Sequence, residues 1–341
     1  MDQADGGRRQ RVLVTGATGF VGSHLHPVLV SRGYDVIGGT RDVRKARQAH
    51  PDRNFVHLDL HDPASVQSAL EGCDYAFYLV HGMNSGGQAD YARAELDAAL
   101  GFREAAAAAG LRRIVYLGGM RPSGPPSRHL QSRLDTGQCL RDGAVPTVEL
   151  QASMIIGRGS ESFRMVRDLA ARLPGMLLPR WLHSRTQPIG IADVVTALVH
   201  ALAMDLRGSE ALALPGPETL QARTIIARIA RLLGRRPVLV DVPVLTPWLS
   251  SWWIRLVTRS DPRVASELVE GLRHDIVSPD DGFWARLPRY RRQSFDEAAR
   301  LALAGEAEEI SGIGAVVESA AEWLTPRDPS APPPPRSASA S

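Results

Sequence analysis

The sequence predicts an α/β fold: a doubly wound parallel sheet with helices on both faces, followed by a smaller C-terminal α/β lobe. Two observations lead to this prediction. In the first half of the chain, short apolar runs alternate with helix-length segments, which is typical of parallel strands joined by right-handed crossovers. After Gly157 the alternation gives way to proline-punctuated loops and further helices, so a separate lobe is expected there.

The predicted elements follow in chain order. The strands are Val12–Thr15, Asp35–Thr40, Asn54–Leu58, Tyr75–Val80, Arg113–Gly118 and Thr147–Leu150. The helices between them are Val21–Ser31, Val43–His50, Ala64–Leu70, Gln88–Ala109 and His129–Arg141. After Gly157, helices are predicted over Ser162–Leu173, Ile191–Met204 and Leu220–Leu233, with extended segments at Leu212–Pro215 and Val238–Val242. Because ligands bind at the carboxyl ends of the strands in such sheets, the site is expected at that edge.

The first strand runs into the most informative motif of the chain. Residues 11–22 read RVLVTGATGFVG, with three glycines between a predicted strand and a predicted helix. Gly16 permits the tight turn, Gly19 lets a phosphate approach the backbone, and Gly22 allows close packing of helix on strand. The N–H groups of the first helical turn face the anion. The motif therefore predicts a Rossmann-type dinucleotide site formed by Gly16, Thr18, Gly19, Phe20, Val21 and Gly22.

The residues after the second strand indicate which nicotinamide cofactor binds. An acidic residue there binds the ribose hydroxyls of NAD, whereas an arginine accommodates the 2′-phosphate of NADP. Here Arg41 comes first, Asp42 follows, and Arg44 and Lys45 add two further cations. A guanidinium holds a phosphate through strong, partly bidentate contacts, so NADP(H) is favoured over NAD(H). In the alternative interpretation these are solvated charges at a helix start, with Asp42 as the cap.

Several stretches together resemble a known family. They are VTGATGFVG, TRDVRKA, HLDL, YLVHGM, SRTQPIGIADVV and GLRHDIV. With them the chain resembles the extended, atypical short-chain dehydrogenases/reductases, and more narrowly the bacterial NAD(P)H-binding proteins related to nitrogen-metabolite-repressor-like sensors. The resemblance covers nearly everything from Val12 to about Leu324. It implies that Asp59 and Leu60 lie at the adenine, and that Leu79 and Val80 pass under the cofactor.

The catalytic residues usual in this superfamily are missing. Its reductases use a Tyr-x-x-x-Lys pair and a serine, but none of the six tyrosines is followed four positions later by Lys45, the only lysine. Where the pair should start, the chain has His129 and Arg133, and Gly118-Gly119 replaces the serine. Arg133 is expected to bind the ribose, and it cannot relay a proton because a guanidinium stays charged.

Two histidines are the predicted catalytic residues. His129 is a candidate general acid because an unperturbed histidine titrates near neutrality. The alternative is that it caps the helix or faces solvent. His81, after the fourth strand, is the second candidate, and the alternative for it is an orienting role in its loop.

Weaker signals lie beyond the sixth strand. Gln151 and Ser153 are expected to line the nicotinamide pocket, and His183 and Arg185 to close over the substrate. Three tryptophans, Trp248, Trp252 and Trp253, fall at helical spacing. They indicate a buried helix that packs on the second lobe. The alternatives are a lid over an apolar substrate and a surface helix that contacts the membrane.

The composition excludes several classes of protein. A net charge of +3 without a basic stripe argues against nucleic-acid binding. The two cysteines form neither a disulfide framework nor a metal cluster, which suits a reducing cytoplasm. No apolar run reaches the ~20 residues of a transmembrane helix. A peripheral membrane contact and a homo-oligomer stay open.

The sequence therefore predicts four regions and two functions. Residues 1–10 and the proline- and serine-rich residues 326–341 are expected to be disordered. The nucleotide-binding domain takes 11–157 with 187–205, and the substrate lobe takes 158–186 and 206–325. One hypothesis is a cytoplasmic NADPH-dependent oxidoreductase that passes hydride to an apolar carbonyl, enone or quinone. The alternative is a non-catalytic NAD(P)(H)-binding sensor or accessory subunit.

Overall fold

The computed structural model describes residues 8–80, 88–172, 175–179, 183–235, 238–242 and 274–307. The described residues divide into two compact units. The first takes the described residues within Met1–Gly119, Arg128–Gln151 and Val194–Ala213. The second takes the described residues within Met120–Ser127, Ala152–Asp193 and Leu214–Ser341.

The elements agree closely with the predicted alternation. The strands are β1 (Arg11–Thr15), β2 (Asp35–Thr40), β3 (Asn54–His57), β4 (Tyr75–Tyr78), β5 (Arg113–Gly119), β6 (Thr147–Ala152), β7 (Ile155–Ile156), β8 (Gly175–Pro179), β9 (Arg185–Thr186), β10 (Ile189–Gly190), β11 (Glu210–Ala213), β12 (Leu220–Gln221) and β13 (Val238–Val242). The α-helices are α1 (Phe20–Ser31), α2 (Val43–Ala49), α3 (Pro63–Leu70), α4 (Gln88–Ala108), α5 (Arg128–Arg141), α6 (Glu161–Arg172), α7 (Ile191–Leu202), α8 (Ala222–Leu232) and α9 (Phe295–Ala307).

The first unit is built on a seven-stranded sheet of order β11-β6-β5-β4-β1-β2-β3, and its registered strand pairs are parallel. The strand order reverses between β1 and β4, which makes this the switch point where such sheets bind ligands. The prediction of a doubly wound parallel sheet is confirmed.

Both faces of this sheet are covered. On one face, Leu13 of β1 and Ile114 of β5 pack in a cluster with Val66, Phe102 and Leu140 of α3, α4 and α5. The alternate residues of the same strands are also buried, including Val12, Val14 and Val115. Successive side chains of a strand point to opposite faces, so a strand buried on both faces has no polar alternation. This explains why β1 reads as a continuous apolar run.

A single arginine ties α7 to the sheet. The guanidinium of Arg113, at the start of β5, donates hydrogen bonds of 2.7 Å to the carbonyl oxygens of Ala201, Leu202 and Met204. The last carbonyls of a helix have no intrahelical partner, and a cation there also interacts favourably with the helix dipole. Arg113 thus closes the C-terminal end of α7.

The second unit has a core between α6, α8 and α9, around Phe163, Ile229 and Phe295. Its strands form short pairs, β7 with β10, β9 with β12 and β8 with β13. The two late sequence motifs meet here. Arg185 forms an ion pair with Asp275 at 2.8 Å, and the side-chain oxygen of Gln187 accepts a 2.8 Å hydrogen bond from the Ser278 backbone N–H. The motifs therefore build one local structure.

Two boundaries differ from the sequence prediction. The extended segment placed at Leu212–Pro215 is β11, which pairs with β6, so the first unit takes Val194–Ala213 where the sequence assigned 187–205. The helix expected from Leu220 begins at Ala222 instead, because Leu220 pairs with Thr186 in an antiparallel bridge.

Candidate functional site

The glycine loop between β1 and α1 forms a cradle made of backbone. Gly16 has a φ of +65°, and a Cβ there would lie 3.2 Å from the carbonyl oxygen of Leu79. The N–H of Gly19 donates to the Gly16 carbonyl at 2.9 Å. A Cβ on Gly22 would lie 2.8 Å from the Cα of Ala17. Side chains are thus excluded from the inside of the turn, as a bound pyrophosphate requires.

The start of α1 leaves room for an anion. Its N-cap is Gly19, which supplies no side-chain hydrogen bond, and the first turn carries no acidic residue. The first N–H groups of a helix have no intrahelical acceptor. The residues from Gly16 to Gly22 therefore fit a pyrophosphate.

The carboxyl ends of β1 and β4 are joined by one hydrogen bond. The buried hydroxyl of Thr15 accepts from the Leu79 N–H at 2.8 Å. This bond places the half-buried Leu79 and Val80 beside the glycine loop, since Val80 Cγ2 would lie 3.3 Å from a Cβ on Gly16. His81, the next residue, lies outside the described residues.

The charged group after β2 shows both features of the alternative interpretation. Arg41 is exposed, and so are Arg44 and Lys45. Asp42 caps α2, since its carboxylate accepts from the Lys45 N–H at 2.9 Å. The acidic side chain is thus engaged by its own helix, and the three cationic residues near it in sequence are open to solvent or to a ligand.

The turn after β3 is stabilised by Asp59. Its carboxylate accepts from the His61 N–H at 3.1 Å, and its own N–H donates to the Ser65 hydroxyl at 2.9 Å. Asp59 is half-buried, whereas Leu60 packs against the core under α3, α4 and α5. The carboxylate is therefore the better placed of the two for contact with a ligand.

Arg133 lies against the end of β5. Its guanidinium donates to the Leu117 carbonyl at 3.2 Å, and its Nε would lie 3.7 Å from a Cβ on Gly119. That Nε is buried and has no hydrogen-bond partner within the part of the chain that the structure describes. A buried donor without an acceptor is costly, and a ribose hydroxyl would satisfy it. This orphaned donor fits the role predicted for Arg133.

Tyr116 does not replace the missing catalytic tyrosine. Its hydroxyl donates to the backbone carbonyl of Arg133 at 2.8 Å, and burial raises its pKa to about 12. It therefore holds α5 against β5.

His129 lies half-buried one turn before Arg133. Burial and the Arg133 guanidinium lower its pKa, and Glu95 partly opposes them. A histidine with a lowered pKa is largely neutral at pH 7, so it offers a ring N–H rather than an imidazolium. Sequence reasoning missed Glu95, which lies on α4 and accepts a hydrogen bond from Ser132.

Sequence reasoning also missed a buried carboxylate beside this helix. Glu149 of β6 is fully buried and is paired with Arg141 of α5. The Gln151 amide donates to Glu149 at 3.0 Å. One sequence signal could have revealed this carboxylate. In the predicted strand TVEL, a charged glutamate stands between the apolar residues Val148 and Leu150.

Two second-lobe candidates have partners within the second unit. The Ser153 hydroxyl donates to the Gln187 carbonyl at 2.6 Å, and Arg185 is held by Asp275. His183 is half-buried. The three tryptophans at 248, 252 and 253 lie outside the described residues.

In the ranges given above, no group of His, Cys, Asp and Glu side chains is placed to hold a metal ion. Among the same residues, no helix combines the length and the apolar character needed to cross a membrane.

Residues 12–141 match the model of the NAD dependent epimerase/dehydratase family. The match spans the glycine loop, Arg41, Asp59, His129 and Arg133, so the predicted nucleotide site lies inside it. The expected resemblance to extended short-chain dehydrogenases/reductases is confirmed.

Solved structures show the same fold. The triphenylmethane reductase of Citrobacter sp., complexed with NADP(H), has a TM-score of 0.67 and 17% identity, with 86% of this chain and 100% of that chain covered. At this identity the likeness concerns the fold.

Curated relatives extend beyond the epimerase/dehydratase segment. The uncharacterized protein Mb2073c of Mycobacterium bovis is 31% identical over 238 residues, or 69% of this chain. The chain spans about a quarter, 24%, of that relative's length. The 3-diazoavenalumate denitrifying reductase of a Streptomyces species is 29% identical over 276 residues, covering 72% of this chain and 88% of the relative. The printed name of the Streptomyces relative describes a reductase.

Proposed function

We propose that the chain is an NADPH-dependent reductase that delivers hydride to a small apolar acceptor, namely a carbonyl, an enone or a quinone. The observation that carries the proposal is the pair His129 and Arg133 on α5. They replace a proton-donating tyrosine and its lysine with a neutral imidazole and a permanent cation.

Different residues of the chain would hold different parts of the cofactor. The backbone from Gly16 to Gly22 would hold the pyrophosphate, Arg41 the 2′-phosphate, and Arg133 the ribose hydroxyls. Bound NADPH supplies the hydride. The preference for NADPH rests on the capping role of Asp42, because a carboxylate engaged by its own helix is less available to ribose hydroxyls.

The neutral imidazole of His129 is a weak acid, and this limits which hydride acceptors it can assist. A neutral imidazole N–H stabilises negative charge on an acceptor oxygen by hydrogen bonding, as neutral histidines do in other enzymes. Enones and quinones delocalise the charge that hydride brings, so such a hydrogen bond suffices for them. A simple ketone would depend on His129 far more strongly. The name of the Streptomyces relative, a reductase of a diazo compound, and that of triphenylmethane reductase agree with acceptors other than simple ketones.

A second candidate function is a nucleotide sensor or accessory subunit that binds NADP(H) without turnover. The glycines at positions 118 and 119 favour it, because they remove the serine hydroxyl as well as the tyrosine and lysine.

The test follows the fluorescence of NADPH bound to the purified chain while enones, ketones and quinones are added singly. The reductase predicts loss of the signal with turnover. Replacing His129 with alanine should leave the NADPH Kd within about twofold, and should cut kcat by about 100-fold for a ketone but by less than about tenfold for a quinone. His200→Ala, on the exposed face of α7, is the matched control. A bound signal that no acceptor discharges would support the sensor and refute the reductase.

A further inference from the structure

We propose that Glu149 is a positioning residue. It orients the side-chain amide of Gln151 so that the amide oxygen accepts a hydrogen bond from the carboxamide NH₂ of the nicotinamide. The proposal rests on the proposed cofactor, and it goes further by naming the pair of residues that recognises the nicotinamide end.

Stability alone does not account for Glu149. It is fully buried in β6, an inner strand of the sheet between β5 and β11. Burying a carboxylate costs several kcal/mol, which pairing with Arg141 offsets. Replacing such a buried pair with apolar residues of similar volume is often neutral or stabilising. A role beyond packing is therefore the better explanation.

The surrounding backbone is shaped around this carboxylate. A Cβ on Gly118 of β5 would lie 2.6 Å from Glu149 Oε1, and a Cβ on Gly137 of α5 would lie 2.5 Å from both carboxylate oxygens. A glycine inside a helix makes the helix less stable than an alanine would. Both elements thus give up a side chain to make room for the Glu149 carboxylate.

The carboxylate settles which way the Gln151 amide points. A carboxylate accepts hydrogen bonds and donates none, so the amide must turn its NH₂ group toward it. The structure has this arrangement, with Gln151 Nε2 donating to Glu149 Oε1 at 3.0 Å. The amide oxygen then points away from Glu149. Gln151 is half-buried, so part of its side chain is accessible to a ligand.

The position of Gln151 matches the nicotinamide end of the site. It lies two residues beyond Glu149 on the same face of β6, toward the carboxyl end where ligands bind. Two strand residues span about 6.6 Å, and the four helical residues from Gly137 back to Arg133 span about 6 Å. Because Gly137 packs on Glu149, Gln151 and Arg133 lie at about the same level. A ribose held by Arg133 would therefore place its ring near an acceptor suited to an amide NH₂.

The test compares NADP⁺ with its 3-acetylpyridine analogue, in which a methyl ketone replaces the carboxamide and its NH₂ is lost. Equilibrium binding of both is measured on the full chain. The unmodified chain should bind NADP⁺ about tenfold more tightly, the effect of one hydrogen bond. Gln151→Leu should reduce this preference below about twofold. Glu149→Gln should also reduce it, because a second amide no longer fixes the orientation of the first.

The controls separate recognition from folding. Glu71→Gln, at an exposed glutamate of the same unit, should keep the tenfold preference. Binding of 2′,5′-ADP, which lacks nicotinamide, should stay within twofold in every variant. Gln151→Leu leaves the buried ion pair intact, so it decides the matter even where Glu149→Gln does not fold.

Two results would overturn the proposal. The role of Glu149 and Gln151 would be refuted by a tenfold preference that survives Gln151→Leu, or by an unmodified chain that binds both dinucleotides equally. Neither result would refute the proposed function. An unmodified chain that binds neither NADP⁺ nor 2′,5′-ADP would overturn the proposed function as well.

Discussion

Replacing Gly22 with alanine tests whether the glycine loop is a phosphate cradle held by close contact of helix and strand. Gly22 lies in the first turn of α1, and the added methyl group would face the backbone of the loop itself. Its Cβ would lie 2.8 Å from the Cα of Ala17 and 3.1 Å from the carbonyl carbon of Ala17, with the Gly16 oxygen nearer still.

The size of the effect follows from these distances. Carbon atoms in contact prefer separations of about 3.5–4.0 Å, so loop and helix must separate by about 0.7 Å or more. Every near atom belongs to the backbone, so no change of rotamer relieves the overlap. Overpacking of this kind costs about 1–3 kcal/mol of stability. The loop N–H groups would lose their alignment with the phosphates, and charge-assisted hydrogen bonds contribute about 1.5–3 kcal/mol each. We expect NADPH affinity to fall by about 10–100-fold.

The assay is NADPH titration by fluorescence, with chemical denaturation for stability. Gly101→Ala is the matched control, because a Cβ there has open space, with no heavy atom within 4 Å. Gly101 lies inside α4, so that variant should keep its affinity and gain about 0.5–1 kcal/mol. An affinity for NADPH within twofold of the unmodified value in Gly22→Ala would refute the cradle.

Three further predictions follow from single side chains. Arg41→Ala should raise the NADPH Kd by about tenfold or more and leave the NADH Kd within twofold. Equal losses for both cofactors in parallel titrations would contradict this. Arg113→Met removes three hydrogen bonds of 2.7 Å to the C-terminal end of α7. The free energy of unfolding should fall by about 3 kcal/mol, and Tm by about 6–12 °C. A Tm shift under about 1 °C in scanning calorimetry would contradict this prediction. The lowered pKa of His129 stabilises the fold above pH 6.5, and this contribution is lost as pH falls through the lowered value. His129→Gln should therefore weaken the fall of Tm between pH 7.5 and 5, and an unchanged slope would count against the buried neutral histidine.

The fold could be predicted from sequence because its signals are local. Continuous apolar runs of strand length, such as Val12–Thr15, are typical of parallel strands buried on both faces. Local signals also lie at helix starts, as in α3, where Asp62 is the N-cap and Pro63 the first residue. Boundaries shifted where long-range pairing decided them, as at Leu220, whose pairing with Thr186 cannot be read from nearby residues.

The geometry of the glycine loop was predictable for the same reason. The turn from β1 to α1 needs glycines at fixed positions, and their geometry agrees with the reading of the motif. The surroundings of His129 were not predictable, since Glu95 approaches it from another helix and burial changes its pKa. Glu149 was missed because its partners Arg141, Gly118 and Gly137 come together only in the folded sheet.

The loss of the usual serine and the presence of Glu149 are linked in space. A serine at position 118 would carry a Cβ 2.6 Å from Glu149 Oε1, so the hydroxyl and the buried carboxylate exclude each other. Its neighbour Gly119 leaves the space across which Arg133 reaches the Leu117 carbonyl. Restoring serine at 118 alone would therefore displace Glu149 instead of restoring a proton donor, and the Arg141 guanidinium would lose its buried partner. The glycines, the arginines and the carboxylate together form one arrangement, in which, under the proposed function, hydrogen bonding to the cofactor and acceptor would replace proton transfer from a tyrosine.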